Sequence, residues 1–236
     1  MTCIWLLCLL PAAAVAYWLL VLTEGAYLGT RAVIALYDWG ASSYDRVKNV
    51  HPSDDAEHLA SPLLGHLQRV KHPLVLDVAT GTGRLPLSLL RQWAFQGRVV
   101  GIDLSRRMLA IAQHRTYARR QRVGWVRQDA MSLPFHDDCF QTVACIEALE
   151  FLPRPSDALA EMVRVLCPGG QLMLSNRKGI DARFFPGRAI SSEALATSLA
   201  ELGLVSVQPR RWQVHYDLVQ AQKPARSAVG CNISPR

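Results

Sequence analysis

LVLDVATGTGRLPLSLL, residues 74–90, is the stretch of the chain that decides the fold. The apolar residues 74–76 run into Asp77, a short loop of residues 79–83 follows, and apolar positions resume at Leu85. This order predicts a buried parallel strand, a glycine turn and a helix that packs back on the sheet. Glycines let a ligand approach the backbone, and a helix start offers unpaired N–H groups. The stretch therefore predicts a ligand site at the end of a strand.

The spacing of the glycines argues against a dinucleotide site. A Gly-x-Gly-x-x-Gly fingerprint that starts at Gly81 needs its third glycine at position 86, where the chain has Pro86. Residues 98–102, with apolar side chains at 99, 100 and 102, instead lead into Asp103, and a carboxylate there can accept hydrogen bonds from two ribose hydroxyls. The spacing therefore disfavours a dinucleotide and leaves a ribose-containing ligand open.

The loop and this acid together resemble motif I of the class I S-adenosylmethionine-dependent methyltransferases. The resemblance implies an α/β, Rossmann-like doubly wound fold, with a mostly parallel seven-stranded sheet and an antiparallel last strand. It also implies S-adenosyl-L-methionine as the cofactor, with Asp103 on the ribose and Asp77 fixing the loop or facing the methionine ammonium. The other cofactor residues implied here are Ala79, Gly81, Thr82, Gly83 and Leu104.

Three further segments carry the same resemblance. GIDLSRRMLAIA (residues 101–112) resembles the second motif, and EMVRVLCPGGQLMLSN (residues 161–176) matches a structural segment of the family. In DAMSLPF (residues 129–135), Asp129 is implied to accept from the adenine amino group while Ala130 and Met131 frame the ring. The alternative for Asp129 is a turn residue that caps a strand. With YDRV at residues 44–47, these motifs are similar to the ubiquinone/menaquinone C-methyltransferase subgroup.

The catalytic and acceptor residues are less defined by the sequence. Glu147 lies near the end of the predicted fourth strand, residues 140–148, and Glu150 follows that strand. Either is a candidate base, and Glu147 is also a candidate cofactor residue; helix capping is the alternative for both. The Asn/Asp-Pro-Pro-aromatic motif of amino-group methyltransferases is absent after this strand. In residues 177–192, the candidates for binding an acceptor are Arg183, Phe184 and Phe185, unless this segment is only a surface loop.

The N-terminus predicts a membrane anchor. Residues 4–22 carry no charge, and as a helix they would be roughly 28 Å long, close to the ~30 Å hydrocarbon thickness of a bilayer. A cleaved signal peptide and a buried or interfacial helix are the alternatives. Arg31, Arg46 and Lys48 follow the apolar run, so the positive-inside rule predicts a single-pass anchor with the catalytic domain in the cytoplasm.

The predicted domain organisation follows from these segments. Residues 1–23 are the anchor helix, 24–62 a juxtamembrane or lid segment with a linker, 63–224 the methyltransferase domain and 225–236 a disordered tail. Tyr44 belongs either to a lid over the cofactor or to an aromatic belt at the membrane surface.

Composition and charge limit the partners. The net charge of +7 and the pI near 9.3 favour an anionic surface or partner. The six cysteines show no Cys-x-x-Cys spacing, which indicates reduced thiols and neither a disulfide framework nor a metal site. The basic residues 114–122 are typical of a solvated helix face, with anionic lipid as the alternative. Nucleic acid is disfavoured because no aromatic stacking platform accompanies the charges.

These observations predict a membrane-anchored methyltransferase that acts on a small lipophilic acceptor resembling a quinone, phenol, thiol or lipid. Two alternatives remain open at this point. One is a methyltransferase-like binding or assembly subunit without turnover. The other is a protein or RNA methyltransferase, for which the basic run is the only support.

Overall fold

The computed structural model describes residues 2–48 and 50–225, and one seven-stranded sheet organises them. The strands are β1 (Leu74–Val78), β2 (Arg98–Asp103), β3 (Val123–Arg127), β4 (Phe140–Cys145), β5 (Leu166–Arg177), β6 (Val205–Arg211) and β7 (Tyr216–Gln222). Their order across the sheet is β3-β2-β1-β4-β5-β7-β6. Strand β7 is antiparallel to both of its neighbours, whereas β1 to β5 pair in parallel. The predicted Rossmann-like sheet with an antiparallel last strand is confirmed.

The helices connect these strands and extend the chain at its N-terminal side. They are α1 (Thr2–Tyr17), α2 (Thr30–Gly40), α3 (Tyr44–Val47), α4 (Pro52–Asp55), α5 (Ser61–Leu67), α6 (Arg84–Arg91), α7 (Arg106–Arg115), α8 (Pro155–Val165), α9 (Gly179–Ala182) and α10 (Ser192–Glu201). Short π-helical turns follow α1 and α4, and short 3₁₀ turns include Ala26–Leu28 and Leu149–Phe151.

Strand β1 is an interior strand of the sheet, between β2 and β4, and is buried on both faces. Its side chains alternate, so that Val75 packs with Leu89 of α6 on one face and Leu76 packs with Leu159 of α8 on the other. All four are 1% exposed or less, and each contributes on the order of 1.5–3 kcal/mol through burial. This double layer explains the continuous apolar run in the sequence and holds the end of β1 in place.

Two glycines bring the layers close enough to form the ligand edge of the sheet. Gly83 has φ +75°, and a Cβ atom there would lie 2.9 Å from Ala112 Cβ and from the ring of Trp125. A Cβ at Gly101 would lie 2.3 Å from the same ring. Trp125 of β3 therefore covers both positions, and a larger residue at either would collide with its ring.

The prediction of a single-pass N-terminal anchor with a cytoplasmic catalytic domain is wrong. Among residues 2–48 and 50–225, the structure contains no helix that is both long enough and apolar enough to cross a membrane. The predicted span of residues 4–22 is divided, because α1 ends at Tyr17 and a π-helical turn, Trp18–Leu22, replaces it.

The second part of the apolar run packs on the domain. The indole of Trp18 donates to the carbonyl of Phe184 at 3.2 Å and stacks on Tyr27, with the ring centroids 4.9 Å apart. Tyr27 in turn donates to the carbonyl of Pro186 at 2.8 Å. Thr23 is fully buried and its hydroxyl donates to carbonyls of the π-helical turn. Hydrophobicity alone did not distinguish this packing from membrane insertion.

Candidate active site

A cavity opens at the carboxyl ends of β1, β2 and β4, under helix α2. It holds about 1090 Å³ of empty space, including its open mouth. The lining residues are Thr30, Val33, Ile34, Tyr37, Tyr44, Leu59, Asp77, Ala79, Thr80, Gly81, Thr82, Arg84, Leu85, Asp103, Leu104, Ser105, Gln128, Asp129, Ala130, Ile146, Glu147, Ala148, Phe151, Leu152 and Pro153. Ligands of open α/β sheets bind at this edge.

Most of the predicted cofactor residues line this cavity. They are Tyr44, Asp77, Ala79, Gly81, Thr82, Asp103, Leu104, Asp129, Ala130 and Glu147. Gly83 instead faces Ala112 and Trp125, and Met131 packs against the hydrophobic core beneath the sheet edge. The structure thus brings the strand-end acids and the glycine loop together, and places Gly83 and Met131 behind them.

Asp77, at the end of β1, is buried beneath the glycine loop. Thr80 donates its hydroxyl to one carboxylate oxygen, which ties the loop to the strand. Burial raises the pKa of Asp77 to about 7; the Thr80 hydrogen bond opposes this rise, and the Asp103 charge adds to it. A carboxyl group in this state can lose its proton near neutral pH when a cation binds beside it.

Asp103 joins the glycine loop to the start of α7. One carboxylate oxygen accepts from Gly81 N and the other from Ser105 N, both at 2.8 Å. Burial raises the pKa of Asp103, and these backbone hydrogen bonds oppose the rise. Each carboxylate oxygen has a second lone pair, so two ligand hydroxyls can still be accepted. Ser105 caps α7 by accepting from Met108 N at 3.1 Å, as expected from the sequence.

Asp129 and Ala130 complete the edge beyond β3. One oxygen of Asp129 accepts from Met131 N at 3.0 Å, which is the turn-capping contact expected from the alternative interpretation. Since Asp129 also lines the cavity, the capping contact and a role in ligand binding are compatible.

Glu147 belongs to an ion-paired cluster that sequence reasoning missed. Arg84, the first residue of α6, donates Nη1 to Glu147 Oε1 and Nε to Asp55 Oδ1, both at 2.7 Å. The guanidinium carbon lies 5.2 Å from the ring centroid of Trp212. Burial raises the pKa of Asp55, and the charge of Arg84 opposes that rise. The helix dipole disfavours a positive charge at a helix N-terminus. Arg84 at the start of α6 was therefore the one sequence signal that it has a negatively charged partner.

Glu150, the other candidate base, does not line the cavity. It is 2% exposed and accepts from Arg177 Nε at 2.7 Å and from the Tyr216 hydroxyl at 2.5 Å. Burial raises the pKa of Tyr216 well above its usual value, and the Glu150 charge adds to the rise. Glu150 is therefore a buried carboxylate that binds Arg177 and Tyr216. A catalytic role for Glu150 stays a prediction.

The predicted acceptor residues also lie away from the cavity. Phe185 is 1% exposed and packs under the guanidinium of Arg177, whose central carbon is 4.5 Å from its ring centroid. Phe184 accepts from Trp18 through its carbonyl, and Arg183 is exposed. Trp18 and Tyr27 contact the loop of residues 184–186. Residues of α2, and not this loop, line the cavity. A role for these three residues in acceptor binding stays a prediction.

Residues 24–48, which we call the lid, line one side of the cavity and are hydrogen-bonded to the loops after β1 and β2. Asp38 of α2 accepts from the hydroxyl of Ser105 and from Arg107 N. Asp45 of α3 accepts from the hydroxyl of Thr82 and from Arg115 Nη1, both at 2.6 Å. The lid therefore contacts the loop after β1 and the loop after β2 from above.

Within the lid, Glu24 holds the two helices together. It accepts from the Tyr37 hydroxyl at 2.7 Å and from Lys48 Nζ at 3.1 Å. Burial raises the pKa of Tyr37 well above its usual value, and the Glu24 charge adds to the rise. Burial also raises the pKa of Tyr44, to which Glu147 contributes. Both tyrosines line the cavity as neutral hydroxyls.

Residues 75–170 match the family model of a methyltransferase domain. This segment is therefore similar to a methyltransferase domain. The methyl donor of such a domain is S-adenosylmethionine, and the strand-end acids, glycine loop and cavity described above fit it. Among the described residues, no group of His, Cys, Asp and Glu side chains could hold a metal ion.

Two curated relatives of this methyltransferase domain are demethylmenaquinone methyltransferases. The protein from Lactiplantibacillus plantarum is 34% identical over 143 residues, which cover 60% of each chain. That from Thermus thermophilus is 41% identical over 100 residues, which cover 42% of this chain and 45% of the relative. The chain therefore aligns with about half of the length of the curated relatives it matches.

The fold of this methyltransferase domain also occurs in a solved structure from Thermotoga maritima. That protein is described as an S-adenosylmethionine-dependent methyltransferase and a possible histamine N-methyltransferase. The TM-score is 0.59 at 20% identity, and the match covers 79% of this chain and 98% of that chain.

Proposed function

We propose that the protein is an S-adenosylmethionine-dependent methyltransferase that methylates a ring carbon of a small, lipophilic, quinone-like acceptor in its reduced form. The names of the two curated relatives support the acceptor class. The observation that carries the proposal is a single cavity with a polar half at the strand ends and an apolar half under the lid.

The polar half suits the cofactor. Asp103 would accept from the ribose hydroxyls, since each of its oxygens has used only one lone pair on a backbone N–H. Asp129 and Ala130 would frame the adenine, and Asp77 would face the methionine ammonium. S-adenosylmethionine supplies an electrophilic methyl group there.

The apolar half suits a flat hydrocarbon ring. It is formed by Val33 and Ile34 of α2 and by Phe151, Leu152 and Pro153 beyond β4. Phe151 is held at a fixed angle by an edge contact with Tyr37, with the centroids 5.7 Å apart. Burial of the ring between these side chains would supply affinity at roughly 25 cal/mol per Å² of apolar surface.

The protein contributes position and dehydration to this reaction. A lid on one side of the cavity would hold the reacting groups in line and reduce their contact with water. A quinone ring is electron-poor, whereas the reduced diol has an electron-rich ring that an electrophile attacks at carbon. The reduced form is therefore the acceptor that we propose.

The proposal is tested with the full chain in two steps. Calorimetric titration of S-adenosylmethionine comes first, followed by anaerobic incubation with naphthalene-1,4-diol and mass spectrometry of the product. We expect saturable cofactor binding and a product that gains one CH₂ unit on a ring carbon. Binding without turnover on any diol favours the non-catalytic subunit, and absence of cofactor binding refutes the enzyme.

A further inference from the structure

The charged residues of the cavity wall divide into two groups. Asp77, Asp103 and Asp129 lie at the ends of three successive strands and belong to the cofactor half under the proposed function, on which this inference rests. Glu147 is the remaining acid of the wall, and Arg84 is the single basic side chain among the described residues that line the cavity. The three strand-end acids leave these two charges without an assigned partner in the cofactor, and both charges are here assigned to the acceptor, instead of Glu147 to the cofactor.

The guanidinium of Arg84 is fixed in position on three sides. Asp55 accepts from Nε, Glu147 accepts from Nη1, and the ring of Trp212 covers one face at 5.2 Å. The side chains of Arg84 and Glu147 are only 14% and 6% exposed. Such a group can donate a further hydrogen bond without a reorganisation cost, because its plane is already set.

Both members of the pair keep one unused polar atom. Within residues 2–48 and 50–225, no hydrogen bond uses Arg84 Nη2 or Glu147 Oε2. Neither atom is among the buried side-chain atoms without a partner. Both side chains line the cavity, and Arg84 also lines a smaller pocket beside Asp55. These two atoms are therefore the ones that the pair can offer to a ligand hydroxyl.

The backbone at Glu147 is also unusual. Its φ is +54°, a backbone conformation that residues other than glycine rarely adopt. The Glu147 N–H donates to the Ser175 hydroxyl of the neighbouring strand β5, which holds this conformation. Strained backbone at a cavity wall is typical of residues that act on a ligand.

The geometry points to Arg84 and Glu147 as the pair that binds and deprotonates the hydroxyl of an aromatic diol acceptor. The acceptor O–H bond breaks, its proton passes to Glu147 Oε2, and the electron pair stays on the acceptor oxygen. That oxygen then accepts a hydrogen bond from Arg84 Nη2. The negative charge raises electron density at the adjacent ring carbon, which is the atom to be methylated.

The chemistry of this pair also selects among acceptors. A saturated lipid offers neither an acidic proton nor an oxyanion, so the pair would gain nothing from binding it. A phenol offers both to a fixed donor and an adjacent carboxylate. The class of acceptor inferred from the pair is therefore an aromatic hydroxyl compound.

The first test measures binding without the methyl donor. The full chain is titrated with 1-naphthol and with 1-methylnaphthalene, which has the same ring and no hydroxyl. We expect at least a tenfold preference for 1-naphthol in the wild type. Arg84→Lys keeps the charge but loses the second donor of the guanidinium, and we expect its preference to fall below about threefold.

The second test separates binding from proton transfer. In Glu147→Gln the side chain can still accept from Arg84 but cannot take a proton. We expect 1-naphthol affinity within threefold of wild type, and a turnover on naphthalene-1,4-diol that falls about 100-fold, within the usual range for a lost general base. S-adenosylhomocysteine affinity and the unfolding temperature report whether each variant is folded.

Matched controls come from a pair outside the cavity. Glu161 accepts from Arg164 Nε at 2.6 Å, so Glu161→Gln and Arg164→Lys repeat the same changes elsewhere. Both controls should keep the wild-type preference and turnover. Equal binding of the two naphthalenes by the wild type, a retained preference in Arg84→Lys, or full turnover by Glu147→Gln would overturn the inference. If the wild type did not bind the cofactor, the proposed function would be overturned instead. The ratio of the affinities for 1-naphthol and 1-methylnaphthalene would still test the role of Arg84 and Glu147.

Discussion

The two halves of the cavity are built from different parts of the chain. Residues 77–82, 103–105 and 128–130, which form the polar half, all fall within the segment that matches the methyltransferase family. The apolar half combines Val33 and Ile34 of the lid with Phe151 and its neighbours, more than 100 positions later. A segment outside the family match therefore forms one wall of the site.

The polar half follows from the sheet itself, whereas the apolar half depends on the lid, a segment outside the sheet. The strand-end acids follow from the geometry of a parallel sheet, because successive strands end at one edge. The lid has no such constraint, and its position depends on the contacts of Asp38 and Asp45 with the two loops. We expect changes in the first half to affect cofactor binding and changes in the second half to affect the acceptor.

The largest effect should follow from Asp103→Asn. The amide keeps one acceptor oxygen but loses the charge, so the hydrogen bonds to Gly81 N and to the ribose hydroxyls weaken together. Since hydrogen bonds to charged groups contribute about 1.5–3 kcal/mol each, we expect at least a ~100-fold loss of S-adenosylmethionine affinity by calorimetry. Asp137→Asn, on a partly exposed ion pair with Arg164, is the control and should bind normally. Unchanged affinity in Asp103→Asn would place the ribose elsewhere.

The next effect should come from filling the apolar half with Ile34→Trp. The larger ring would occupy acceptor space, and we expect KM for the diol to rise on the order of 30-fold, corresponding to a packing cost of about 2 kcal/mol. Cofactor affinity should stay within threefold of wild type. Ile180→Trp, at a position that is 71% exposed, repeats the change outside the cavity. If cofactor affinity fell as far as acceptor binding, the division into two halves would be wrong.

A smaller effect should appear in the pH dependence of cofactor binding. The pKa of Asp77 is raised to about 7 by burial, so the carboxylate that would face the methionine ammonium forms as the pH rises through this value. We expect S-adenosylmethionine affinity to increase about tenfold between pH 6 and pH 8, and Asp77→Asn to abolish the increase. A flat profile in the wild type would mean that Asp77 only fixes the glycine loop through Thr80.

The same residue gives the opposite trend for stability without cofactor. The pKa of Asp77 is higher in the folded state, about 7, than its ordinary value of 3.8, so the folded state binds more protons between these values. Its contribution to stability is complete below the lower value and is lost as the pH rises through about 7. Urea unfolding at pH 5 and pH 8 should show this loss in the wild type and not in Asp77→Asn.

The smallest effect should follow from Asp45→Asn in the lid. The pair with Arg115 is partly exposed, with side-chain exposures of 35% and 22%, and such pairs contribute about 0.2–1 kcal/mol. We expect cofactor dissociation, measured by stopped flow, to become about two- to threefold faster. Arg154→Gln, in a more exposed pair with Asp157, should leave the dissociation rate unchanged. An unchanged rate in Asp45→Asn would show that Asp38 alone holds the lid.

The position of the polar half of the cavity could be predicted because its signals are local in the sequence. Asp77, the glycine loop and Asp103 stand in one strand-loop-helix-strand order, and each strand end could be located from the apolar run before it. The closing antiparallel strand β7 could be located in the same way. Periodicity and turn chemistry are sufficient for such elements.

The pairing of Arg84 with Asp55 and Glu147 could not be predicted because these residues are distant in the sequence. Arg84 lies 29 positions from Asp55 and 63 from Glu147, and no pattern within one segment relates them. The prediction of a membrane anchor was wrong for a related reason. An apolar segment has the same composition whether it inserts into lipid or packs on a protein surface, and only the partners of Trp18 and Tyr27 distinguish the two.

Glu24 has a practical consequence for anyone who shortens this protein. Its carboxylate is shared by Tyr37 and Lys48, so it connects α2 to the end of α3. A truncation that begins after residue 27, chosen to remove the apolar N-terminus and improve solubility, would also remove this connection. Such a fragment would keep every strand of the sheet yet lose the support of the helix that carries Val33 and Ile34. The acceptor preference measured with such a fragment would then differ from that of the full chain.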